Sequence, residues 1–394
     1  MAKFVSGQSH HDMLTVGNHD DLARQEFAMS LKGFTQNRLL PGLGPVFEGR
    51  VAPAFEKEHG QAPSDRHQIR SGMMDDPYFQ TYALTNRVAQ EMIWSSVQAP
   101  LERDLDAVND RAAKLSGSNK APVETAEDFA VPRYVSAIDI HCMPGGYSTQ
   151  ESPSDVAAGA LYDRGVYLYS MGMMGPDNDG MGSSVCLYVQ NRLDGFQPTA
   201  ILDMGCTVGH STLPFKELFP DADVTGIDVG GPCIRYAHAR AAAKGLDVGF
   251  MQRDASKTGF EEASFDLIVS HILLHETSGK AMPEVFKECY RLLKPGGYMI
   301  HADLPPLLKM GAFNQFILDN ETYYNNEPFW GAMRDLDQEQ MAVDAGFAKE
   351  TVRFDTAPMV MPEGMAPPPE EEQEFVAGEF APGGGWEVLI ARKD

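Results

Sequence analysis

Two glycines and a short row of acids and histidines carry the chemistry open to this chain. Gly205 and Gly209 follow the apolar run Ala200-Ile201-Leu202 and Asp203, with Cys206, Thr207 and Val208 between them. A glycine turn beside a strand lets a bulky ligand approach the backbone, and the N-terminus of the next helix favours a bound carboxylate. Asp228 lies about twenty-five residues beyond Asp203, where a carboxylate can accept hydrogen bonds from both hydroxyls of a ribose. Asp254, with Ala255 beside it, ends a further apolar stretch. The segment Ser270-His271-Ile272-Leu273-Leu274-His275-Glu276 places two imidazoles near a strand end, and Asp303 closes another apolar run. Histidine is the side chain whose ordinary pKa suits proton traffic near neutral pH.

These residues need a frame that gathers strand ends along one edge. From residue 199 onward apolar strands at 200–202, 224–227, 248–251, 265–270 and 298–301 alternate with helices at 211–218, 232–244 and 282–293. Such alternation predicts a parallel sheet covered on both faces, with the polar groups at its carboxyl edge. The tail predicts a helix over 336–345 closed by Gly346, then strands at 350–354 and 386–391. The N-terminal half reads as mostly helical. Residues 20–40 are expected to bury Leu22, Phe27, Leu31 and Phe34, until Pro41, Gly42, Gly44 and Pro45 break the helix. Residues 75–97, with Tyr82, Val88, Met92 and Ile93 near one stripe, and 100–115 read as two further helices. Residues 116–122 read as a loop and 132–140 as a short strand. The expected division is a helical domain over 1–190, covering the substrate pocket, and a catalytic domain over 191–394 with insertions at 304–335 and 357–384. The second insertion, rich in Pro and Glu, reads as a solvent-exposed hairpin excursion or a lid.

In order and spacing, the Asp203–Gly209 turn, Asp228, Asp254, the strand into Ser270-His271 and the turn Leu293-Lys294-Pro295-Gly296-Gly297 resemble the class I S-adenosylmethionine-dependent methyltransferases. The pattern is closest to the broad small-molecule branch that includes quinone and sterol methyltransferases, and it covers residues 199–303 well. A dinucleotide fold also uses a glycine turn followed by an acid, but its Gly-x-Gly-x-x-Gly differs from the Gly-x-x-x-Gly here. The resemblance implies a Rossmann-like, seven-stranded, mostly parallel sheet whose last strand runs antiparallel. It also implies S-adenosylmethionine as cofactor and S-adenosylhomocysteine as product. Cofactor contacts would fall on Asp203 at the amino group, Gly205, Cys206 and Gly209 at the amino acid half, Asp228 and Val229 at the ribose, Asp254 and Ala255 at the adenine, and Ser270.

Methyl transfer is a displacement at a sulfonium, which requires alignment of the acceptor, exclusion of water and, for hydroxyl or protonated amine acceptors, a route for a proton. His271 is the first candidate for acceptor contact or base, followed by His275 and Asp303. Aromatic and thioether side chains are expected to enclose the acceptor: Tyr147, Tyr162, Tyr167, Tyr169 and Met173 upstream, and Tyr323, Tyr324 and Trp330 downstream. The expected activity is transfer to an O, N, S or C atom of a small molecule. The alternative is a protein or peptide methyltransferase that docks its substrate on the N-terminal half.

Composition narrows the partners. The formal charge of −24 and the lack of a Lys/Arg run disfavour nucleic acid. Cys142, Cys186, Cys206, Cys233 and Cys289 contain no Cys-x-x-Cys pair, which points to a reducing compartment and away from a structural zinc site. No metal is expected, because His271 and His275 straddle a strand-to-helix boundary. The opening Met1-Ala2-Lys3-Phe4-Val5 lacks the apolar core of a signal peptide, and no apolar run approaches membrane-spanning length. A cytoplasmic enzyme, with a homodimer expected only from the base rate for enzymes of this size, is the resulting expectation.

Overall fold

A computed structural model describes residues 7–15, 17–307, 310–360 and 385–394. The expected excursion over 357–384 lies mostly outside them. The described strands form one eight-stranded sheet: β1 Val123–Glu124, β2 Ala200–Met204, β3 Asp223–Asp228, β4 Gly249–Gln252, β5 Phe265–His271, β6 Leu293–Ala302, β7 Arg353–Pro358 and β8 Gly385–Arg392. Their spatial order is β1-β4-β3-β2-β5-β6-β8-β7, and only β8 runs antiparallel to its neighbours. Seven of the strands match the sheet expected from the resemblance. The eighth, β1, comes from the N-terminal half and pairs with the outer edge of β4.

Both faces of the sheet are apolar because neighbouring residues on a strand point to opposite sides. Ile201, Leu267, Val269, Ile300 and Ile390 belong to one core, under Val185, Phe215 and Ile234. Leu202, Ile268, Met299 and Leu389 belong to the other, under Phe286 and Leu292. The turn from β2 lies beside β3, where the Ile227 carbonyl accepts from the amides of Gly205 and Cys206 at 2.8 and 3.0 Å.

The N-terminal half forms a helical cap on this sheet. Its main strut is the 40-residue helix Pro77–Ser116, which runs through Pro100 where two helices were expected. Proline removes one helical hydrogen bond, but here Pro100 is buried and the flanking turns pack into a shared core with Trp94, Val97 and Leu101. That core also holds Cys233, Tyr236 and Ala239 of helix Gly231–Ala243, so cap and sheet are joined through common apolar packing. The helix His19–Phe34 begins at an Asn18 capping box, as its sequence permits, but its buried face is Asp21, Gln25, Ala28, Met29 and Lys32. Phe27 and Phe34 are exposed, and Leu22 and Leu31 only half-buried. The polar face is buried because it finds partners: Arg103 reaches Asp21 at 3.0 Å, Arg164 reaches Gln25 at 2.9 Å, and Lys32 reaches Gln90 at 3.3 Å. After it, the Pro/Gly stretch continues as irregular helical turns as far as His59, where a break was expected. Residues 132–140 contain a helical turn, Arg133–Ser136, in place of the expected strand. Among the described residues no helix is long and apolar enough to cross a membrane.

Candidate active site

The carboxyl edge of the sheet opens into two adjoining cavities. The first, about 740 Å³, lies over Gly205, Thr207, Asp228, Val229, Asp254 and Ala255. The second, about 1010 Å³, is more apolar and is walled by Trp94, Tyr162, Tyr169, Met181, Trp330 and Trp386. His141, Tyr162, Gly205, Thr207, His271 and Ile272 line both and form the boundary they share. A third cavity, about 1320 Å³, shares Tyr169, Leu304 and Trp330 with the second and extends beneath the helix His19–Phe34 to Lys32 and Gln36.

The first cavity is shaped by the turn after β2. Gly205 has φ +75°, and a Cβ there would stand 2.8 Å from Leu273 Cδ1. The positive φ favours glycine here, and a Cβ would in addition push the Leu273 side chain aside. Asp228 is held across the turn by two backbone donors, Thr207 N at 3.1 Å and Gly230 N at 2.8 Å. Burial pushes its carboxyl up to about 6 despite those donors. The Asp254 carboxylate accepts from Ser256 N at 2.8 Å and Ser256 Oγ at 2.7 Å, which fixes it at the cavity wall beside Ala255.

Other residues expected at the cofactor stand back from this cavity. Asp203 is 1% exposed and accepts from Thr212 Oγ1 at 2.6 Å, with His271 Nδ1 at 3.4 Å from its other oxygen. Cys206 lines only the second cavity and packs against Gly226. Gly209 backs onto Phe250. Ser270 is turned into the sheet, where its hydroxyl meets His301 Nδ1 at 2.6 Å. His301 is itself buried, and burial pushes its pKa down to about 4.

The loop after β5 sets the histidines. His271 is the last residue of β5 and Ile272 has φ +56°, a reversal that sends Leu274–Glu276 into a single 3-10 turn. His271 lines both cavities, and its Nε2 is buried with no hydrogen-bond partner. His275 is fully buried and lines the second cavity. Its Nδ1 lies 2.8 Å from Asp303 Oδ1. Asp303 also accepts from Leu274 N at 2.7 Å and Leu304 N at 2.8 Å, so it braces His275 and lines neither of the first two cavities. Burial alone would push His275 down, but Asp303 beside it raises the ring's pKa overall. Burial acts to raise Asp303, and His275 with the two amides brings it below the usual carboxylate range.

The aromatic set divides. Tyr147 and Tyr162 line the first cavity, Tyr162 and Tyr169 the second, and Trp330 the second and third. Met173 lies at the third cavity and is 53% exposed. Tyr167, Tyr323 and Tyr324 line none of the three. Tyr323 is half exposed and stacks on Arg70, and Tyr324 packs edge-on to Phe79. Reading the sequence missed Trp94, Tyr134, His141 and Trp386. In the sequence Glu276 stands out only as the neighbour of His275. Here the Tyr147 hydroxyl donates to Glu276 at 2.8 Å, and His141 Nε2 lies 2.9 Å from the same carboxylate.

Residues 201–297 match a family model described as a methyltransferase domain. Over 116 residues the chain is 34% identical to a demethylmenaquinone methyltransferase of Thermus thermophilus, covering 29% of this chain and 51% of that protein. It is 26% identical over 202 residues to phosphoethanolamine N-methyltransferase 1 of Arabidopsis thaliana, covering 49% and 39%. It is 33% identical over 113 residues to a tRNA N(3)-methylcytidine methyltransferase of Drosophila melanogaster, covering 27% and 35%. The chain thus spans about half the length, or less, of these curated relatives. The glycine turn, the clamped acid at the end of β3 and strands β3 to β5 fall within the matched region, and the chain therefore carries a class I S-adenosylmethionine-dependent methyltransferase domain.

Proposed function

We propose that this protein transfers a methyl group from S-adenosylmethionine to a small molecule held in the second cavity. The observation that carries this reading is the adjacency of the two cavities: the cleft over the glycine turn and an apolar, aromatic chamber share His271 and Tyr162 in their walls. In this reading the amino acid end of the donor lies against Gly205 and Thr207. Asp228 accepts from the ribose hydroxyls, and Asp254 with Ala255 meets the adenine. Tyr162 offers its ring to the sulfonium by cation–π attraction. Asp203 stands one layer behind and acts through Thr212 and His271.

The chain's own residues supply alignment and a proton route. The carboxylate of Asp203 favours the His271 tautomer with its proton on Nδ1, which leaves a lone pair on Nε2. That nitrogen accepts the proton released by an oxygen or nitrogen acceptor as the methyl–sulfur bond breaks. A thioether acceptor releases no proton, and His271 then only orients it. Residues 1–190 act as the cover, since Trp94, Tyr162 and Tyr169 wall the chamber, and 191–394 as the catalytic unit. The five cysteines, all unpaired and buried, support a reducing, cytoplasmic setting, and the acidic charge supports an acceptor other than nucleic acid.

Two measurements test the reading. Calorimetry should detect S-adenosylhomocysteine binding in the micromolar range, about −8 kcal/mol at 1 μM. Protein incubated with a labelled methyl donor and a metabolite extract should place label in a small molecule. Label appearing only in a protein or RNA fraction would replace the proposed acceptor class.

A further inference from the structure

We propose that His141, His275 and Glu276 bind a divalent transition-metal ion where the two main cavities meet. One donor atom from each of these residues lies within 4.8 Å of the others. An ion held at about 2.0–2.2 Å from imidazole and carboxylate donors needs those donors within about 4.4 Å of one another. A small inward turn of the side chains closes that gap. His141 Nε2 already stands 2.9 Å from Glu276 Oε1, and His275 Nε2 stands 4.0 Å from it.

The surroundings are built as those of a metal site usually are. A metal-bound imidazole gives its second nitrogen to a carboxylate, which fixes the ring and raises its basicity. Asp303 does this at His275 Nδ1 at 2.8 Å, and Glu327 does it at His141 Nδ1 at 2.9 Å. Asn325 and the Tyr147 hydroxyl complete the polar neighbours. The remaining nitrogen, His275 Nε2, and the second Glu327 oxygen are both buried and without a hydrogen-bond partner, 3.7 Å apart. Neither residue is more than 1% exposed. Leaving two such groups unmatched is costly, and an ion coordinated by His275, with Glu327 beside it, removes that cost.

Three carboxylates, from Glu276, Asp303 and Glu327, face the two imidazoles, and a divalent ion between neutral rings compensates two of those charges. His141 is also placed deliberately: it has φ +55°, and its carbonyl is pinned by Gln90 Nε2 at 3.0 Å and Trp94 Nε1 at 2.7 Å. Two imidazoles and one carboxylate without thiolate suit Zn²⁺, Fe²⁺ or Mn²⁺ and leave coordination positions open. His141 lines both cavities, Glu276 the first and His275 the second, so an oxygen of a bound acceptor lies within reach of those positions. This proposal departs from the expectation of no metal, which considers His275 without His141.

The test uses the full-length protein, stripped with chelator and dialysed against Zn²⁺, Mn²⁺ or, anaerobically, Fe²⁺ alone. No methyl donor is present, so the outcome is independent of the proposed transfer reaction. We expect one equivalent bound by at least one of these ions, with Glu276→Gln and His141→Gln abolishing stoichiometric binding. Asp303→Asn should weaken it by roughly 10- to 100-fold. Should these variants fail to fold, the Co²⁺-loaded wild-type protein decides. Two paramagnetically shifted, solvent-exchangeable imidazole N–H resonances support the site, and their absence overturns it. Binding of no ion by wild type, or binding unchanged in both folded ligand variants, also overturns it.

Discussion

Asp228→Asn should move stability and cofactor affinity in opposite directions. In the unliganded protein the Asp228 carboxyl stands at about 6 instead of 3.8, chiefly because it is buried. That displacement is equivalent to about 3 kcal/mol. Its folded pKa lies above its unfolded one, so the ionised carboxylate subtracts from stability. The penalty builds as pH rises from about 4 to 6 and is complete above that. Asparagine removes the penalty but can satisfy only one of the two amides, from Thr207 and Gly230, and loses about 1 kcal/mol there. The net expectation is an unliganded variant about 1–2 kcal/mol more stable near neutral pH, read from urea midpoints. Affinity should fall, because hydrogen bonds from two ribose hydroxyls to a charged acceptor contribute about 1.5–3 kcal/mol, or roughly 10- to 150-fold. Wild-type affinity for S-adenosylhomocysteine should weaken as pH drops through about 6, and the variant's profile across that region should be flat. Calorimetry at several pH values measures both. Equal affinity in wild type and variant would refute the ribose assignment, and a flat wild-type profile would refute the titration argument.

His271→Asn should lower turnover about 10²-fold or more for an oxygen or nitrogen acceptor, with cofactor affinity nearly unchanged; steady-state kinetics with the screened acceptor decides, and full activity would assign the proton route elsewhere. Gly205→Ala should weaken S-adenosylhomocysteine binding and cost about 1 kcal/mol or more, because its φ of +75° and the Leu273 contact at 2.8 Å both oppose a Cβ; binding and denaturation on one preparation read the two effects. Asp163→Asn should cost about 3 kcal/mol or more, since this fully buried carboxylate accepts from Gln8 and Tyr236 and faces His210 at 2.9 Å. Burial acts to raise the Asp163 carboxyl, but its partners hold it well below 3.8, so its contribution is present above pH ~4 and is lost as pH falls further; urea titrations at neutral and acidic pH should show wild type and variant converging in acid.

The sheet was legible in the sequence because both of its faces are apolar and the central strands β3, β4 and β5 end in Asp228, Gln252 and His271. Runs such as Phe265–Ser270 admit few other placements, and β5 extends that run by only His271. The cap was less legible because its packing is decided by polar pairs. Asp21, Gln25 and Lys32 are buried through Arg103, Arg164 and Gln90, residues 58 to 139 positions away, and no hydrophobic period announces such a face. Pro100 misled for the same reason: a helix break is a local cost, and packing on both sides outweighs it. The aromatic residues show the limit of composition. Tyr162 and Tyr169 reach the chamber, while Tyr167 between them lies on the same helix turned toward Arg164. Spacing distinguishes these faces only once the helix is known to run from Ala157 to Tyr169. His141 is the strongest case. Its ring meets Glu276, 135 positions later, and Glu327 beyond that, in a turn where His141 and Cys142 both have positive φ. In sequence it is an isolated histidine. The N-terminal half of the chain, which lies outside the matched region, thus contributes chamber walls and one of the three proposed metal ligands. It follows that acceptor choice should be sought by varying residues 94–174 and 323–330, while the glycine turn and Asp228 are left intact.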